Sequence, residues 1–453
     1  MKKVLCLLLA ALMLLPTVAA LAEGEDITSW ILEDDTSISG EISFWMPFKG
    51  SQGMDALIAD FNATYPNIKV NLNTYNNNSD GNLSVNTSIM ADEVDVLASF
   101  GLSNAYKRWE SGLYVDLTDL VEEEGIDLIA NWGTDAFKYD DCIYTFPCGG
   151  LSYYVAINMN AWNAAGLGEL PTEWTWDDYF AASKAMTEYN EDGTVKVYGG
   201  SSYHSQNYYT YVYGSLVGKN AYYDEDGTSS FDNPVMIKAL QDEYNAEVVD
   251  KIWFPKSVYR GDNLQAQQTF LVERTCNAAL TPNMVRFLPD TANYGVDFIT
   301  GFAPWPVIEK GQTNYMSGVS PFSHAGICMQ EGMDDPDFPA AWAFLKWYST
   351  YGVKYLVAAG HQPNWKGTEV GSALSLLFGS EEEAAKFVDV ESFKRVVGVS
   401  TNPSYYEDEL AAYSKVNSLM AEYTMYALND VMSPEEALSE LTKLADEEIA
   451  KER

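Results

Sequence analysis

The side chains of this chain that could do chemistry are aromatic faces set beside amides, hydroxyls and imidazoles. Trp45 and Phe48 flank Pro47 where a short apolar alternation ends, Ser99 closes a second apolar run, and Tyr153 follows a Pro/Gly cluster. His204 lies in Y-H-S-Q-N-Y (Tyr203–Tyr208), Asn283 follows Pro282, Trp365 ends H-Q-P-N-W, and Tyr405 opens a Tyr-Tyr pair. Flat rings contribute contact area, and planar polar groups orient hydrogen bonds. A set like that holds a small polar solute.

Catalytic alternatives have less support. Gly214–Asn220 has the glycine and lysine of a P-loop, but its spacing is one residue short and Asn220 stands where Ser or Thr would hold magnesium. Neither a G-x-S-x-G elbow nor a G-x-G-x-x-G turn occurs. Three histidines and no C-x-x-C pair give zinc no ligand set, so neither metal nor cofactor is expected. Asn190–Gly193 and Asp224–Gly227 lack EF-hand spacing and read as turns. A secreted glycoside hydrolase stays open as an alternative, because it needs only two carboxylates in an aromatic cleft and the chain has 65 acids.

Residues 1–22 have the pattern of a secretory signal: Lys2 and Lys3, the apolar run Val4–Leu15, then the small-x-small site Ala20-Leu21-Ala22. Its removal takes two lysines and no acid, changing the net charge from −38 to −40. That balance repels nucleic acid and anionic lipid and favours a soluble, extracytoplasmic chain. It also leaves a cationic ligand such as a polyamine open. Cys6 lies too near the basic start to be a lipid-anchor cysteine. Of the later cysteines, Cys142 and Cys148 could close a small loop, although buried free thiols are the default for four cysteines in a chain this long.

Ile42 and Phe44 alternate as in a strand, and a loop with Pro47, Gly50 and Gly53 follows. Met54, Leu57, Ile58, Phe61 and Tyr65 recur at helical spacing, Pro66 stops the helix, and Ile68, Val70 and Leu72 alternate again. This predicts a βαβ unit in an α/β fold, with its first loop at the strands' carboxyl edge, where such sheets bind ligands. A helix is expected near Leu83–Met90, a strand at Asp95–Ala98, and a crossing between two bodies at Pro147–Gly150. Thr175 is a helix N-cap with Asp177 and Asp178 in the first turn, and Ser433-Pro434-Glu435-Glu436 is a capping box that launches a terminal amphipathic helix.

The ordered set F-N-A-T-Y-P-N-I-K-V (Phe61–Val70), I-Y-T-F-P (Ile143–Pro147), P-T-E-W-T-W-D-D (Pro171–Asp178), A-P-W-P (Ala303–Pro306) and A-A-W-A-F-L-K-W-Y (Ala340–Tyr348) resembles the maltose-binding-like solute-binding proteins of carbohydrate ABC importers. The resemblance implies a two-lobed periplasmic-binding-protein-like fold with discontinuous lobes and a multi-strand hinge. Lobe 1 would take 38–148 and 327–363, and lobe 2 would take 149–326 and 364–453. It further implies a monomeric receptor, not an enzyme, with a carbohydrate ligand of oligosaccharide length and an ABC permease as partner. The ligand residues would be Trp45, Phe48, Ser99, Tyr153, His204, Asn283, Trp365 and Tyr405. The chain departs from the family pattern at Glu273, where glycine is usual, and at Thr281-Pro282-Asn283, which has no aromatic for stacking.

Overall fold

The computed structural model describes residues 35–47, 53–134, 137–203, 207–368, 372–397, 402–407 and 410–453. The export signal, Phe48 and His204 lie outside the described residues. Strand β1 (Gly40–Met46), helix α1 (Met54–Thr64) and strand β2 (Ile68–Thr74) form the expected unit, with β1 and β2 parallel and Phe44 opposite Leu72. Met54, Leu57 and Phe61 are the buried face of α1. The helix ends two residues before Pro66, which disfavours helical geometry at Tyr65.

Helix α2 (Ser79–Met90) starts earlier than its apolar pattern predicts, because Asn78 Oδ1 caps it by accepting from Gly81 N at 2.9 Å. Strand β3 (Val96–Phe100) and helix α3 (Leu102–Glu110) follow. Strands β4 (Phe146–Leu151) and β5 (Tyr154–Asn158) belong to different sheets, so the chain changes sheet at Ser152-Tyr153. Pro147–Gly150, read as the crossing, lies within β4, and the chain leaves that sheet directly after Leu151. The absent side chain of Gly149 lets Ser323 and His361 approach: a Cβ there would lie 2.9 Å from Ser323 Oγ and 3.0 Å from His361 Cβ.

Onward come α4 (Trp176–Met186), α5 (Tyr208–Val217), β6 (Ala278–Thr281), β7 (Thr300–Pro304) and β8 (Ser320–Ile327). Helix α6 (Phe338–Ser349), the short β9 (Gln362–Pro363), α7 (Tyr413–Leu428) and α8 (Pro434–Glu452) complete the frame. Ser433 forms the anticipated capping box on α8, and Thr175, the anticipated N-cap of α4, forms one as well with Asp178. The segment Tyr351–Ala359 is helical but wound as a 3₁₀ helix, closed by Gly360 in the left-handed region.

The first sheet has strand order β9-β4-β8-β3-β1-β2, and the second has β6-β5-β7. The first packs on α6, where Phe44 meets Phe344 and Tyr348 edge-on at 4.8 and 5.0 Å. The second is buried on both faces. Val155 and Ile157 enter a core with Tyr179, Trp253, Val416 and Leu441, while Tyr154 and Ala156 enter another with Phe302 and Phe393. That alternation is the period-two geometry of a strand with a core on each side. All four cysteines among the described residues are free, so Cys142 and Cys148 are not bonded. No helix among the described residues is long and apolar enough to cross a membrane.

Candidate functional site

Where β3 ends, Gly101 takes φ +68° and donates its N–H to Phe322 O at 2.9 Å, which ties the first sheet's carboxyl edge to β8. Facing that edge is a cavity of about 150 Å³, lined on one side by Gly101, Leu102, Ser320 and Phe322. Its other walls are Tyr153, Asn207 and Tyr211, then Tyr222, Tyr405 and Glu407, then Tyr413, Asn417 and Met420. Leu102 packs on the core around Trp109, whereas Tyr153, Tyr222 and Met420 belong to the core of the second sheet. Leu102 is thus the wall residue from the first core, since Phe322 of β8 also packs against the second.

Local structure explains each wall. Asn207 precedes α5 as its N-cap but makes no side-chain cap, since its Oδ1 accepts from Thr424 Oγ1 of α7 at 3.1 Å. Tyr153 meets Tyr211 edge-on at 5.2 Å and Trp305 at 5.7 Å, so Trp305 acts from behind as buried support. Tyr413, Asn417 and Met420 sit at helical spacing on α7. The stretch 404–407 is held by backbone bonds from Tyr405 N to Tyr315 O (3.1 Å) and from Tyr406 N to Gly218 O (3.2 Å).

The glycines of the P-loop-like stretch have structural roles here. A Cβ on Gly214 would lie 3.0 Å from the Tyr405 ring, so its absence seats that ring on α5. Gly218, at φ +77°, ends the same helix.

Glu407 is the one carboxylate among the described lining residues. Tyr405 OH donates to its Oε1 at 3.1 Å, and Tyr413 donates as well. Burial holds the Glu407 carboxyl above its ordinary range, with the two phenols partly opposing that shift. Burial, followed by the Glu407 charge, raises the Tyr405 and Tyr413 hydroxyls. Among the described residues no basic side chain forms an ion pair with Glu407.

Through Tyr413 the cavity adjoins a wider groove of about 1090 Å³, whose walls include Tyr106, Lys107 and Tyr139 on one side and Asn220, Tyr223 and Lys415 on the other. Through Tyr406 it adjoins a third space of about 710 Å³ around His361–Lys366. Ligand pockets usually hold about 300–1,000 Å³, so the small cavity reaches that range only together with its neighbours.

Of the residues read from sequence, Tyr153 and Tyr405 meet in the central cavity, and Trp365 lines the third space. Trp365 Nε1 donates to Asn131 Oδ1 at 3.1 Å. Trp45 is half-buried and donates to Ser43 Oγ at 2.9 Å. Ser99 is buried and accepts from Arg108 Nη1 at 2.7 Å, while the same guanidinium reaches Asn86 and Asn82. Asn283 exchanges local hydrogen bonds with Thr281. Asp95, which reads as structural, accepts from Ser43 N at 2.6 Å. Sequence reasoning missed Tyr211, Tyr222, Glu407, Tyr413 and Asn417. Only Glu407 had a signal, its place directly after Tyr405-Tyr406.

Residues 48–355 match the bacterial extracellular solute-binding protein family, and the chain belongs to it. No curated protein sequence matches the chain. Among solved structures, it is similar to an ABC substrate-binding protein from Listeria monocytogenes in complex with cycloalternan, at 18% identity and TM-score 0.68, covering 91% of this chain and 100% of that one. A sugar transporter from Rhizobium etli in an open conformation aligns at 14% identity and TM-score 0.70, covering 89% and 98%. A solute-binding protein from Agrobacterium radiobacter K84 in complex with ribitol aligns at 18% identity and TM-score 0.61, covering 91% and 99%. These likenesses establish the two-lobed solute-binding fold, and the family is one of extracytoplasmic binding proteins.

Proposed function

We propose that the chain captures an extracellular sugar between its two lobes and delivers it to an ABC permease. The supporting observation is the cavity where Tyr153, Tyr211, Tyr405 and Tyr413 meet Asn207, Asn417 and Glu407, with walls drawn from both cores. Aromatic area against ring C–H groups and planar polar groups against hydroxyls are the two requirements of sugar recognition. The relatives in complex with cycloalternan and with ribitol favour the same class. The adjoining groove suits an oligosaccharide longer than one ring.

Closure follows from the split walls. A ligand shifts an open-closed equilibrium only by its differential affinity for the two states, and contacts from both lobes exist together only when the lobes are shut. The passages at Ser152-Tyr153, between β7 and β8, and after β9 would serve as the hinge. The match to a solute-binding family favours binding over glycoside hydrolysis, which generally uses two paired carboxylates.

A thermal-shift panel of oligosaccharides and polyols tests the proposal. The right sugar at a hundredfold excess over its Kd stabilises the protein by about 2.7 kcal/mol. Shifts with polyamines alone would remove the carbohydrate reading, and release of reducing ends would make the protein a hydrolase.

A further inference from the structure

We infer that the Glu407 cavity selects a protonated amine, so that the ligand is an amino sugar in preference to a neutral one. This rests on the reading of the tyrosine-lined cavity as the ligand site. Glu407 already accepts hydrogen bonds from Tyr405 and Tyr413, so its oxygens have polar partners while its charge has no counter-ion among the described residues. A neutral hydroxyl would add one more hydrogen bond there and do nothing to offset the burial that disfavours the charged carboxylate. An ammonium group would add the hydrogen bond and favour the carboxylate form.

The surrounding rings point the same way. Tyr153, Tyr211, Tyr222, Tyr405 and Tyr413 line the cavity, and the negative faces of such rings attract cations, whereas the Tyr406 ring already has Lys219 Nζ over it at 5.4 Å. Phenols that donate to a carboxylate gain electron density, which strengthens that attraction. No lysine, arginine or histidine is among the described lining residues to oppose a cation. At longer range, a chain of net charge −38 concentrates cations near its surface. Hydroxyls on the same ligand would find Asn207 and Asn417, amides that a simple amine would leave unused.

The test compares glucosamine oligosaccharides, their N-acetylated counterparts, maltose-type oligosaccharides and spermidine on the full chain, by calorimetry, at a pH where the free amines are charged. Acetylation keeps the ring and removes the charge. The expected result is binding of the amine form tighter by about tenfold than of the acetylated form, the scale of a desolvated cation held by rings and a carboxylate. The Glu407→Gln variant should abolish that preference, the ratio of amine to acetyl affinity falling to about one. Equal affinity for amine and acetylated forms in the unaltered protein overturns the inference and leaves the sugar reading standing. Binding of spermidine with no sugar bound overturns the sugar reading, and its loss in E407Q upholds the cation site. Should E407Q fail to fold, the amine-to-acetyl comparison on the unaltered protein decides alone.

Discussion

Replacing His324 with Phe should flatten the acid side of the protein's stability profile. His324 lies in β8 opposite Ser99 and Pro147, fully buried, with its ring stacked on Phe137 at 4.8 Å and tilted against Trp109 at 5.9 Å. Burial, then the charge of Arg108, pushes its pKa from 6.5 down to about 3. The unfolded chain therefore binds a proton below pH 6.5 that the folded chain refuses until about pH 3. Stability then falls as pH falls through that window, because the unfolded state holds the extra proton. Each pH unit well inside the window is worth about 1.4 kcal/mol, so this one residue removes about 2 kcal/mol between pH 8 and pH 5.

Other groups titrate in the same range. His361 is likewise pushed down to about 3, by burial first and then by Arg286, and acts in the same direction. Glu247 is raised by burial and by Glu243, so its protonation in the folded state acts in the opposite direction. The difference between variant and parent removes these shared contributions. Urea denaturation at pH 8, 7, 6 and 5 should show H324F losing about 2 kcal/mol less than the parent over that range. An unchanged pH dependence in H324F would refute the reasoning, since it would mean that the buried imidazole accepts its proton in the folded state.

Gly214→Ala should separate stability from binding. Alanine is the better helix former by up to about 1 kcal/mol in the middle of α5, yet its methyl would lie 3.0 Å from the Tyr405 ring. Melting should change little while calorimetric affinity for the sugar falls severalfold, and unchanged affinity would show that Tyr405 does not touch the ligand. Lys256→Met should cost about 3–5 kcal/mol in chemical denaturation, because Lys256 Nζ pairs with Glu243 at 2.6 Å with both side chains fully buried. A further Glu243→Leu change should recover part of that loss, and a neutral K256M would refute the cost assigned to breaking the buried pair.

Segments whose geometry depends on near neighbours in the chain were legible before the structure. Met54, Leu57 and Phe61 mark the inner face of α1 because helical spacing alone puts them on one side, and the N-cap at Thr175 and the capping box at Ser433 involve residues only three apart. Composition marked Pro147–Gly150 as a crossing but gave no sign that its glycines are strand residues made bare for Ser323 and His361, more than 170 residues onward. Tyr153 and Tyr405 stood out as aromatics in polar stretches. Nothing local distinguished Tyr211 or Tyr413 from ordinary helix core.

Periodicity, caps and proline stops, all short-range, determined the βαβ start, the terminal helices and the α/β class. Which side chains share a cavity was decided only when Gly101 of the first sheet came to face α5, α7 and the 404–407 stretch packed on the second. That juxtaposition comes from apolar burial on two separate cores, a force without sequence direction. For the same reason Glu407 acquired its meaning from the tyrosines folded around it, which lie up to about 250 residues away along the chain.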